Sequence, residues 1–167
     1  MKIYLASDHA GFNLKEKVKK TLTESGYDIE DCGAYEFEPT DDYPDYIKKA
    51  AENVSRNPED KAIIFGSSGQ GEAIVANKFK GVRAVVFYTP IIPAHAVDVT
   101  GRTSSDAFEM IRLTREHNDA NVLSIGAHIL SEADALHAIK QWLEAPFSND
   151  ERHIRRIRKI SQIEDHE

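Results

Sequence analysis

Residues 62–72 read AIIFGSSGQGE, and this stretch decides the fold of the chain. The apolar run over residues 63–65 is typical of a strand that is buried on both faces of a sheet. The glycines that follow allow a tight turn whose backbone can approach a ligand closely. Glu72 and the apolar residues after it predict a helix. A loop between a strand and the amino end of a helix collects free backbone N–H groups and therefore favours an anion.

The glycine loop, residues 66–71, is not a common nucleotide-binding motif. No Gly-Lys-Ser/Thr follows it, so it is not a Walker A loop, and its glycine spacing differs from G-x-G-x-x-G. Glycines alone fit an ordinary turn between a strand and a helix. Glu72 favours a catalytic site instead, because an anion-binding loop rarely has a carboxylate at its mouth unless that carboxylate takes part in the chemistry.

Strands and helices alternate along the whole chain. Apolar runs predict the strands, which lie at residues 3–6, 27–31, 62–65, 83–88 and 121–125. Between them apolar residues recur with helical spacing, as at positions 47, 50, 51 and 54. This order predicts an α/β protein with a three-layer Rossmann-like fold, in which helices cover both faces of a five-stranded parallel sheet. A single domain is expected to comprise residues 1–167.

The second half of the chain contains one long loop and several helix-start signals. Residues 89–105 include two prolines and a glycine without a clear period, which predicts a lid, a binding loop or an interface. Ser104 or Ser105 is expected to cap the helix that follows. Residues 131–134 form a capping-box pattern ahead of another helix.

The last helix is predicted at about residues 149–163. Its start repeats the capping pattern, here as Ser-Asn-Asp-Glu at residues 148–151. Its apolar positions have helical spacing and are expected to be buried, namely Ile154, Ile157 and Ile160.

The composition favours a cytoplasmic protein that binds neither nucleic acid nor membrane. The formal net charge is −7, which argues against a general nucleic-acid or acidic-membrane binder. The single cysteine, Cys32, cannot form an internal disulfide. Met1 and Lys2 lead directly into the first strand without a signal peptide, and no apolar run approaches membrane-spanning length.

Two further polar residues are expected at the carboxyl end of the sheet, where ligands of such sheets collect. Asp8 and His9 follow the first strand, so they should face Glu72 across one crevice. The alternative for Asp8 is that it merely caps the next helix.

Charged residues near the carboxyl terminus suggest a second anion-binding group. Arg152 and Arg156 lie one helical turn apart and point the same way, which suits a phosphate dianion. The alternative is a solvated helix face. The unperturbed pKa of a histidine lies near neutrality, so His117 is a candidate general acid or base, although a lone histidine is more often structural. No metal site is expected, because His95 and Asp98 lack a third ligand with fitting spacing.

Taken together, several stretches resemble the ribose-5-phosphate isomerase B and galactose-6-phosphate isomerase family. They are SDHAGFNLK at 7–15, DYPDY at 42–46, GSSGQGE at 66–72, ANKFKGVRA at 76–84, REHNDANVLSIGA at 115–127 and ERHIRRI at 151–157. The resemblance covers nearly the whole chain except residues 89–105. It implies an aldose–ketose isomerase that acts on a phosphorylated sugar through an enediolate, with no metal and no other cofactor.

The resemblance also implies roles for individual residues. His117 matches the residue that opens the sugar ring, with Asp8 assisting it. The backbone of the loop matches the group that stabilises the enediolate oxygens, and it includes Ser67, Gly69 and Gly71. The remaining matches contact the substrate. Its phosphate would be held by His9, Arg152 and Arg156, and the rest of it would be contacted by Tyr43 and Asn118.

The base differs between two branches of the family that the chain resembles. Many members have a catalytic cysteine at the position of Gly66, whereas another branch has a glutamate matching Glu72 and a serine matching Ser68. This chain is similar to the second branch. Burial can raise the pKa of such a glutamate towards neutrality and so suit it to proton transfer between carbons. Cys32 lies in a different turn and is expected to be structural.

Two features depart from the family pattern. His128 stands where many members have an arginine, so one substrate contact is expected to be weaker or dependent on pH. Residues 89–105 form an insertion at the active-site end of the sheet, and they would reshape the sugar pocket or extend a subunit contact.

The leading prediction is therefore interconversion of ribose 5-phosphate and ribulose 5-phosphate. A six-carbon sugar phosphate of the galactose or allose type is the alternative substrate, and a sugar-phosphate-binding protein without catalysis is the alternative class. The resemblance further implies a homodimer, or a tetramer of dimers, whose active sites are shared between subunits.

Overall fold

A computed structural model of the chain describes residues 1–165, so the last two residues of the predicted domain lie outside it. The described part forms one parallel sheet of five strands in the order β2-β1-β3-β5-β4. The strands are β1 (Ile3–Ser7), β2 (Ile29–Asp31), β3 (Lys61–Gly66), β4 (Ala84–Phe87) and β5 (Val122–Gly126). The predicted α/β class and the five-stranded parallel sheet are confirmed.

Six helices within residues 1–165 cover the two faces of this sheet. They are α1 (Phe12–Glu24), α2 (Tyr43–Arg56), α3 (Gln70–Ala76), α4 (Glu109–Asn118), α5 (Glu132–Glu144) and α6 (Glu151–Glu164). Apolar residues of α1, α4 and α5 share one core cluster, and those of α2 and α3 share another. The sheet separates the two clusters, which gives the three predicted layers.

Strand β3 shows how the sheet supports both layers. Ile63 and Phe65 belong to the core on the α1 side, whereas Ala62 and Ile64 belong to the core on the α2 side. Successive side chains of a strand point to opposite faces, so a strand that is apolar at every position is buried on both. β3 is accordingly central, hydrogen-bonded to β1 and to β5.

The start of α4 differs from the prediction. The helix begins at Glu109, and Phe108 occupies its N-cap position. The hydroxyl of Ser104 instead accepts a hydrogen bond from the N–H of Asp106 and donates one to Glu109 Oε2. A serine that is engaged in a local turn cannot cap a helix four residues later. The cap predicted at Ser104 or Ser105 was therefore wrong, whereas the one at Ser131 is confirmed, because its side chain accepts a hydrogen bond from the N–H of Asp134.

Helix α6 also differs from the prediction. Ile154 and Ile160 are 38% and 44% exposed, and Ile157 is only partly buried. His153 is the residue of α6 that is buried. Among residues 1–165 α6 packs against α4 and its carboxyl end reaches the turn at Gly81, but these contacts leave Ile154, Ile160 and Ile163 exposed. The spacing of the isoleucines indicated an apolar face correctly, but their burial within the chain was wrong.

The connection from β4 to α4 has its own hydrogen bonds although it forms neither a helix nor a strand. The N–H of Ile91 donates to the carbonyl of Ala107 at 2.8 Å, and that of Val97 donates to the carbonyl of Arg102 at 2.7 Å. Arg102 joins the connection to α4 through Glu116, with 2.8 Å between Nη2 and Oε2. None of the helices in residues 1–165 combines the length and apolar character needed to cross a membrane.

Candidate active site

The glycine loop adopts the conformation that its glycines allow. Gly69 precedes α3 with a φ of +76°, a left-handed conformation that glycine adopts without strain. The buried Ser124 of β5 donates a hydrogen bond to the carbonyl of Gly69 at 2.6 Å. The loop is thereby fixed to the sheet, with its N–H groups at the amino end of α3.

Glu72 is buried directly behind this loop. Its side chain lies against Gly66, where a Cβ would come within 1.8 Å of Oε1. Burial raises the pKa of the Glu72 carboxyl, and the negative charge of Asp8 raises it further. The predicted proximity of Asp8 and Glu72 is consistent with this effect. A carboxyl with a raised pKa is suited to accept and return a proton.

Asp8 has a backbone role as well. Its Oδ1 accepts hydrogen bonds from the N–H groups of Ala10 at 3.0 Å and Gly11 at 3.3 Å. These bonds hold the turn before α1. Asp8 thus supports the start of this helix, as the capping alternative expected, although the N-cap position itself is occupied by Gly11. The two bonds leave Oδ2 available to another group, because a carboxylate has lone pairs on both oxygens.

His9 is held by a residue that the sequence did not single out. Its ring Nδ1 lies 2.7 Å from Oδ1 of Asp41, and its backbone N–H donates to the same oxygen at 3.0 Å. This bond raises the pKa of His9, and the charge of Asp8 contributes. Donor atoms of Asp8, His9 and Asp41 lie within 4.8 Å of one another, close enough to hold a metal ion. The short bond from Nδ1 to Asp41 favours a shared proton over a shared metal at this nitrogen.

The other residues predicted at this edge surround the glycine loop. The ring of Tyr43 packs against Gly71, where a Cβ would lie 2.8 Å from its hydroxyl oxygen. Ser67 Oγ is 3.0 Å from Nδ1 of His128, which is exposed. Ser68 is half-buried, and its Oγ accepts a long hydrogen bond of 3.4 Å from the N–H of Gln70. These four side chains lie in or against the glycine loop, and Glu72 follows this loop directly.

His117 lies in a different place, at the carboxyl end of α4. Its ring stacks on that of His153 with 4.4 Å between centroids, and His153 Nδ1 is 2.8 Å from Ser148 Oγ. Burial lowers the pKa of His117, and the neighbouring His153 lowers it further. A neutral imidazole at neutral pH can accept a proton from a sugar hydroxyl.

Arg152, Arg156 and Asn118 accompany His117. Arg152 is near enough for its charge to lower the pKa of His117. Its Nε is buried and has no hydrogen-bond partner among the described residues, and its Nη2 is 3.7 Å from Asp150. Arg156 and Asn118 are exposed. The buried Nε of Arg152 lacks a partner that a bound anion would supply.

The predicted site residues therefore form two groups, which lie at opposite ends of the parallel strands. The first group lies at the carboxyl ends of the strands and contains Asp8, His9, Tyr43, residues 66–72 and His128. The second group lies at the amino end of β5 and contains His117, Asn118, Arg152 and Arg156. β5 is five residues long, which corresponds to roughly 16 Å between the two ends. One chain does not bring the two groups together.

Arg83 is the second residue whose importance the sequence did not reveal. Its guanidinium donates from Nε to the carbonyl of Asn118 at 2.9 Å and from Nη2 to that of Asp119 at 2.7 Å. Asp119 ends α4 with a φ of +45°. Arg83 is part of the ANKFKGVRA stretch, and the resemblance of this stretch to a family motif was the one sequence feature that could have indicated its importance. Asp41 precedes the DYPDY stretch and had no signal beyond that position.

The family follows from comparison with known proteins. The family model described as Ribose/Galactose Isomerase matches residues 3–100 and 103–160. This chain belongs to the ribose/galactose isomerase family. The family prediction is thereby confirmed, and with it the class of enzyme, a sugar-phosphate aldose–ketose isomerase.

Relatives in the family match along almost the full chain. The ribose-5-phosphate isomerase B of Mycolicibacterium paratuberculosis is 35% identical over 164 residues, which cover 98% of this chain and 92% of that protein. The Escherichia coli enzyme of the same name is 34% identical over 163 residues, with 98% and 96% covered. The crystal structure of the Mycoplasma genitalium ribose-5-phosphate isomerase B with bound ribulose-5-phosphate has a TM-score of 0.86 at 29% identity, covering 99% of this chain and 97% of that one.

Proposed function

We propose that the chain interconverts ribose 5-phosphate and ribulose 5-phosphate, with Glu72 as the base. The observation that carries this proposal is the buried carboxyl of Glu72 beside the N–H groups of the glycine loop, in a member of this family. Relatives that match most of the chain bear the name ribose-5-phosphate isomerase B, and one of them was crystallised with ribulose-5-phosphate.

The proposed reaction moves one proton between two carbons. Glu72 removes the proton from C2 of the open-chain aldose, and the electron pair forms the C1–C2 double bond of an enediolate. The N–H groups of residues 67–71 stabilise its oxygens. The proton of the O2 hydroxyl then passes to O1, which becomes the C1 hydroxyl, while Glu72 returns its proton to C1 and O2 becomes the ketone oxygen. Side chains and backbone supply all these steps, and the substrate as a whole is neither oxidised nor reduced.

The other predicted residues prepare the substrate for this step. His117 and Asp8 open the sugar ring by moving a proton between the ring oxygen and the anomeric hydroxyl. Arg152, Arg156 and His9 hold the phosphate through charge-assisted hydrogen bonds. Ser68 is a further catalytic residue that acts beside Glu72, whereas Tyr43, Asn118 and His128 contact the sugar.

A homodimer with shared active sites is part of the proposal. The second group lies at the opposite end of the strands from Glu72, and it consists of His117, Asn118, Arg152 and Arg156. A complete site therefore requires the second group from another copy of the chain. The exposed isoleucines of α6 offer an apolar surface on which a second copy can pack. A dimer, or a tetramer built from dimers, completes two sites at once.

Mixing two inactive variants tests both the base and the shared site. Glu72→Gln damages the first group, and Arg156→Ala damages the second, where it should chiefly raise KM. After unfolding and refolding together, mixed dimers should contain one site with both groups intact. We expect about a quarter of wild-type activity at a substrate concentration too low for the Arg156 variant.

The matched control mixes two variants of the same group, Glu72→Gln and Asp8→Asn. Both sites of such a mixed dimer have a damaged first group, one through Glu72→Gln and the other through Asp8→Asn. Activity should therefore stay at the level of the single variants. Equal recovery in both mixtures, or recovery in neither, would contradict a site shared in this way.

A six-carbon sugar phosphate is the second candidate substrate. The observation that favours it is the long connection after β4, which starts at the same edge of the sheet as the glycine loop. Turnover assays with ribose 5-phosphate and with galactose and allose 6-phosphates distinguish the two. Binding of these compounds without turnover would instead support a sugar-phosphate-binding protein. A cytoplasmic location within pentose phosphate metabolism stays a prediction, supported by the free thiol of Cys32.

A further inference from the structure

Asp41 is almost completely buried next to His9, although the two residues are 32 positions apart in the chain. The side chain of Asp41 is 5% exposed, and that of His9 is 36% exposed. Asp41 lies between β2 and α2, whereas His9 follows β1. The chain thus buries a carboxylate beneath a histidine that borders the candidate active site.

One oxygen of Asp41 makes both contacts with His9. Oδ1 accepts from the backbone N–H at 3.0 Å and lies 2.7 Å from Nδ1 of the ring. A carboxylate oxygen accepts, so Nδ1 must carry the proton. Nε2 is then the ring nitrogen left for a ligand, and the backbone contact fixes the position from which the ring extends. The ring of Phe37 stands edge-on to His9 with 6.4 Å between centroids and limits its rotation.

We propose that Asp41 is a positioning residue that holds His9 with Nε2 directed at the phosphate of the substrate and keeps the imidazole ring positively charged. The proposal deepens the proposed function and rests on it for the identity of the ligand. Asp41 itself would not touch the substrate, because His9 lies between them. A carboxylate that accepts from Nδ1 fixes the orientation of the ring and favours its protonated form, so that Nε2–H becomes a directed, charge-assisted donor to an anion.

The groups around His9 determine how its charge depends on pH. Asp8 faces the ring from the same turn, with 3.9 Å between Oδ2 and Nδ1, and Glu72 of α3 lies near Asp8. On α2, burial raises the pKa of Tyr46, and the charge of Asp41 contributes. The bond to Asp41 raises the pKa of His9, so the imidazolium persists to higher pH than in an ordinary histidine. Anion binding by His9 should therefore be present at low pH and lost as pH rises through this raised pKa.

Three variants separate orientation from charge. Asp41→Asn keeps an acceptor oxygen but removes the charge, and Asp41→Ala removes both. Asp42→Asn is the matched control, because Asp42 is the exposed neighbour. At neutral pH we expect KM to rise about tenfold in Asp41→Asn and further in Asp41→Ala, with kcat within about twofold, as for the loss of a charge-assisted contact. Asp42→Asn should leave KM unchanged.

Inhibition by inorganic sulfate provides the pH readout, because sulfate keeps its charge over the range in which histidine titrates. In the wild type, inhibition should persist to higher pH than in Asp41→Asn. At a pH above the pKa of His9, where the ring is neutral, ¹⁵N NMR should show the remaining proton on Nδ1 in the wild type and a mixture of tautomers in Asp41→Ala. In a His9→Ala background, Asp41→Asn should have no further effect on KM. Thermal unfolding of each variant shows whether a change in KM reflects lost folding.

Several outcomes would overturn the proposal. These are an unchanged KM and sulfate profile in Asp41→Asn, an equal effect of Asp41→Asn without His9, or a neutral wild-type ring whose single proton lies on Nε2. Loss of activity with a chelator and its recovery with a divalent cation would make the cluster a metal site instead. If the wild type turned over no sugar phosphate, the proposed function would fail, while the NMR and sulfate measurements would still decide the role of Asp41.

Discussion

The carboxylate of Glu72 occupies the space into which a side chain at Gly66 would project. A Cβ at position 66 would lie 1.8 Å from Oε1 and 2.1 Å from Cδ of Glu72. Two side chains therefore cannot share this place. This exclusion is consistent with the pattern that the family resemblance implies, in which a member has either a cysteine at the first position or a glutamate at the second.

Replacing Glu72 by glutamine should remove the base while keeping the shape of the side chain. We expect kcat to fall by about 10²–10⁴ while substrate binding largely survives. The wild type in heavy water should place deuterium in the product, and the variant should not do so at a comparable rate. Because burial raises the pKa of Glu72, wild-type activity should fall on the acid side at a higher pH than for an ordinary glutamate.

Cys32→Ser is the control for the base. Burial raises the pKa of the Cys32 thiol to about 11, so it is not ionised at neutral pH and cannot serve as a base. The variant should be nearly as active as the wild type. Inactivation by this change, or near-normal turnover of Glu72→Gln, would assign proton transfer to another residue.

Exchanging the base between positions 66 and 72 tests the spatial exclusion. Gly66→Ala alone should displace Glu72 and lower kcat by about 10² or more, as expected for a misplaced catalytic group. Glu72→Ala should be nearly inactive, and adding Gly66→Cys to it should recover part of the activity. The recovered activity should be lost on alkylation with iodoacetamide, to which the wild type is resistant. A double variant no more active than Glu72→Ala would show that position 66 does not reach the reacting carbons.

The sequence was sufficient for the sheet and for the proximity of Asp8 to Glu72, for definite physical reasons. Apolar runs bounded by glycine, such as residues 62–66, identify strands that are buried on both faces. Polar residues after such strands then meet at one edge of the sheet, which brings Asp8 close to Glu72. Periodicity was less informative for α6, because it shows that Ile154 and Ile160 share a face but not whether the same chain covers it.

Other contacts could not be read from the sequence because no local pattern links their partners. Asp41 lies just before α2, and the pairing of β1 with β2 together with the packing of α2 against β1 brings it to His9. The start of α4 was misplaced because Ser104 has an alternative partner in Glu109, and a cap signal does not reveal such competition. His117 lies apart from Glu72 because it precedes the amino end of β5, whereas Glu72 follows the carboxyl end of β3. Motifs alone do not convey this difference.

Arg83 should position His117 and Asn118 by holding the end of α4. Its guanidinium bonds the carbonyls of Asn118 and Asp119 and contacts Oδ2 of Asp119 at 3.0 Å. Arg83→Ala should lower kcat by up to about 10², because it releases the turn that carries both residues. Arg83→Lys should recover part of this loss, since one ammonium group replaces only part of the guanidinium fork. In a His117→Ala background the effect of Arg83→Ala on kcat should largely disappear. An undiminished effect there would indicate a role in general stability instead.

The long connection between β4 and α4 should contribute to the subunit contact. It exposes three apolar side chains, with Ile91 60%, Ile92 56% and Val99 79% exposed, as expected of a surface that packs against another chain. Arg102 links the connection to α4. Its Nε lies 3.1 Å from Asp98 within the connection, and its Nη1 lies 3.3 Å from Glu109 at the start of α4. Replacing residues 91–103 by a short turn should leave a folded protein but raise the dimer dissociation constant by about tenfold or more, a loss of about 1.4 kcal/mol.

Arg102→Ala should produce a smaller change in the same direction, because it loosens the connection without removing its apolar side chains. Analytical ultracentrifugation over a range of concentrations measures both effects, and kinetics with pentose and hexose phosphates shows whether substrate preference changes as well. Loss of the dimer should lower activity in parallel, since each site would then lose the arginines of its partner. A shortened protein with the mass, kinetics and substrate preference of the wild type would mean that the connection is only a tolerated surface loop.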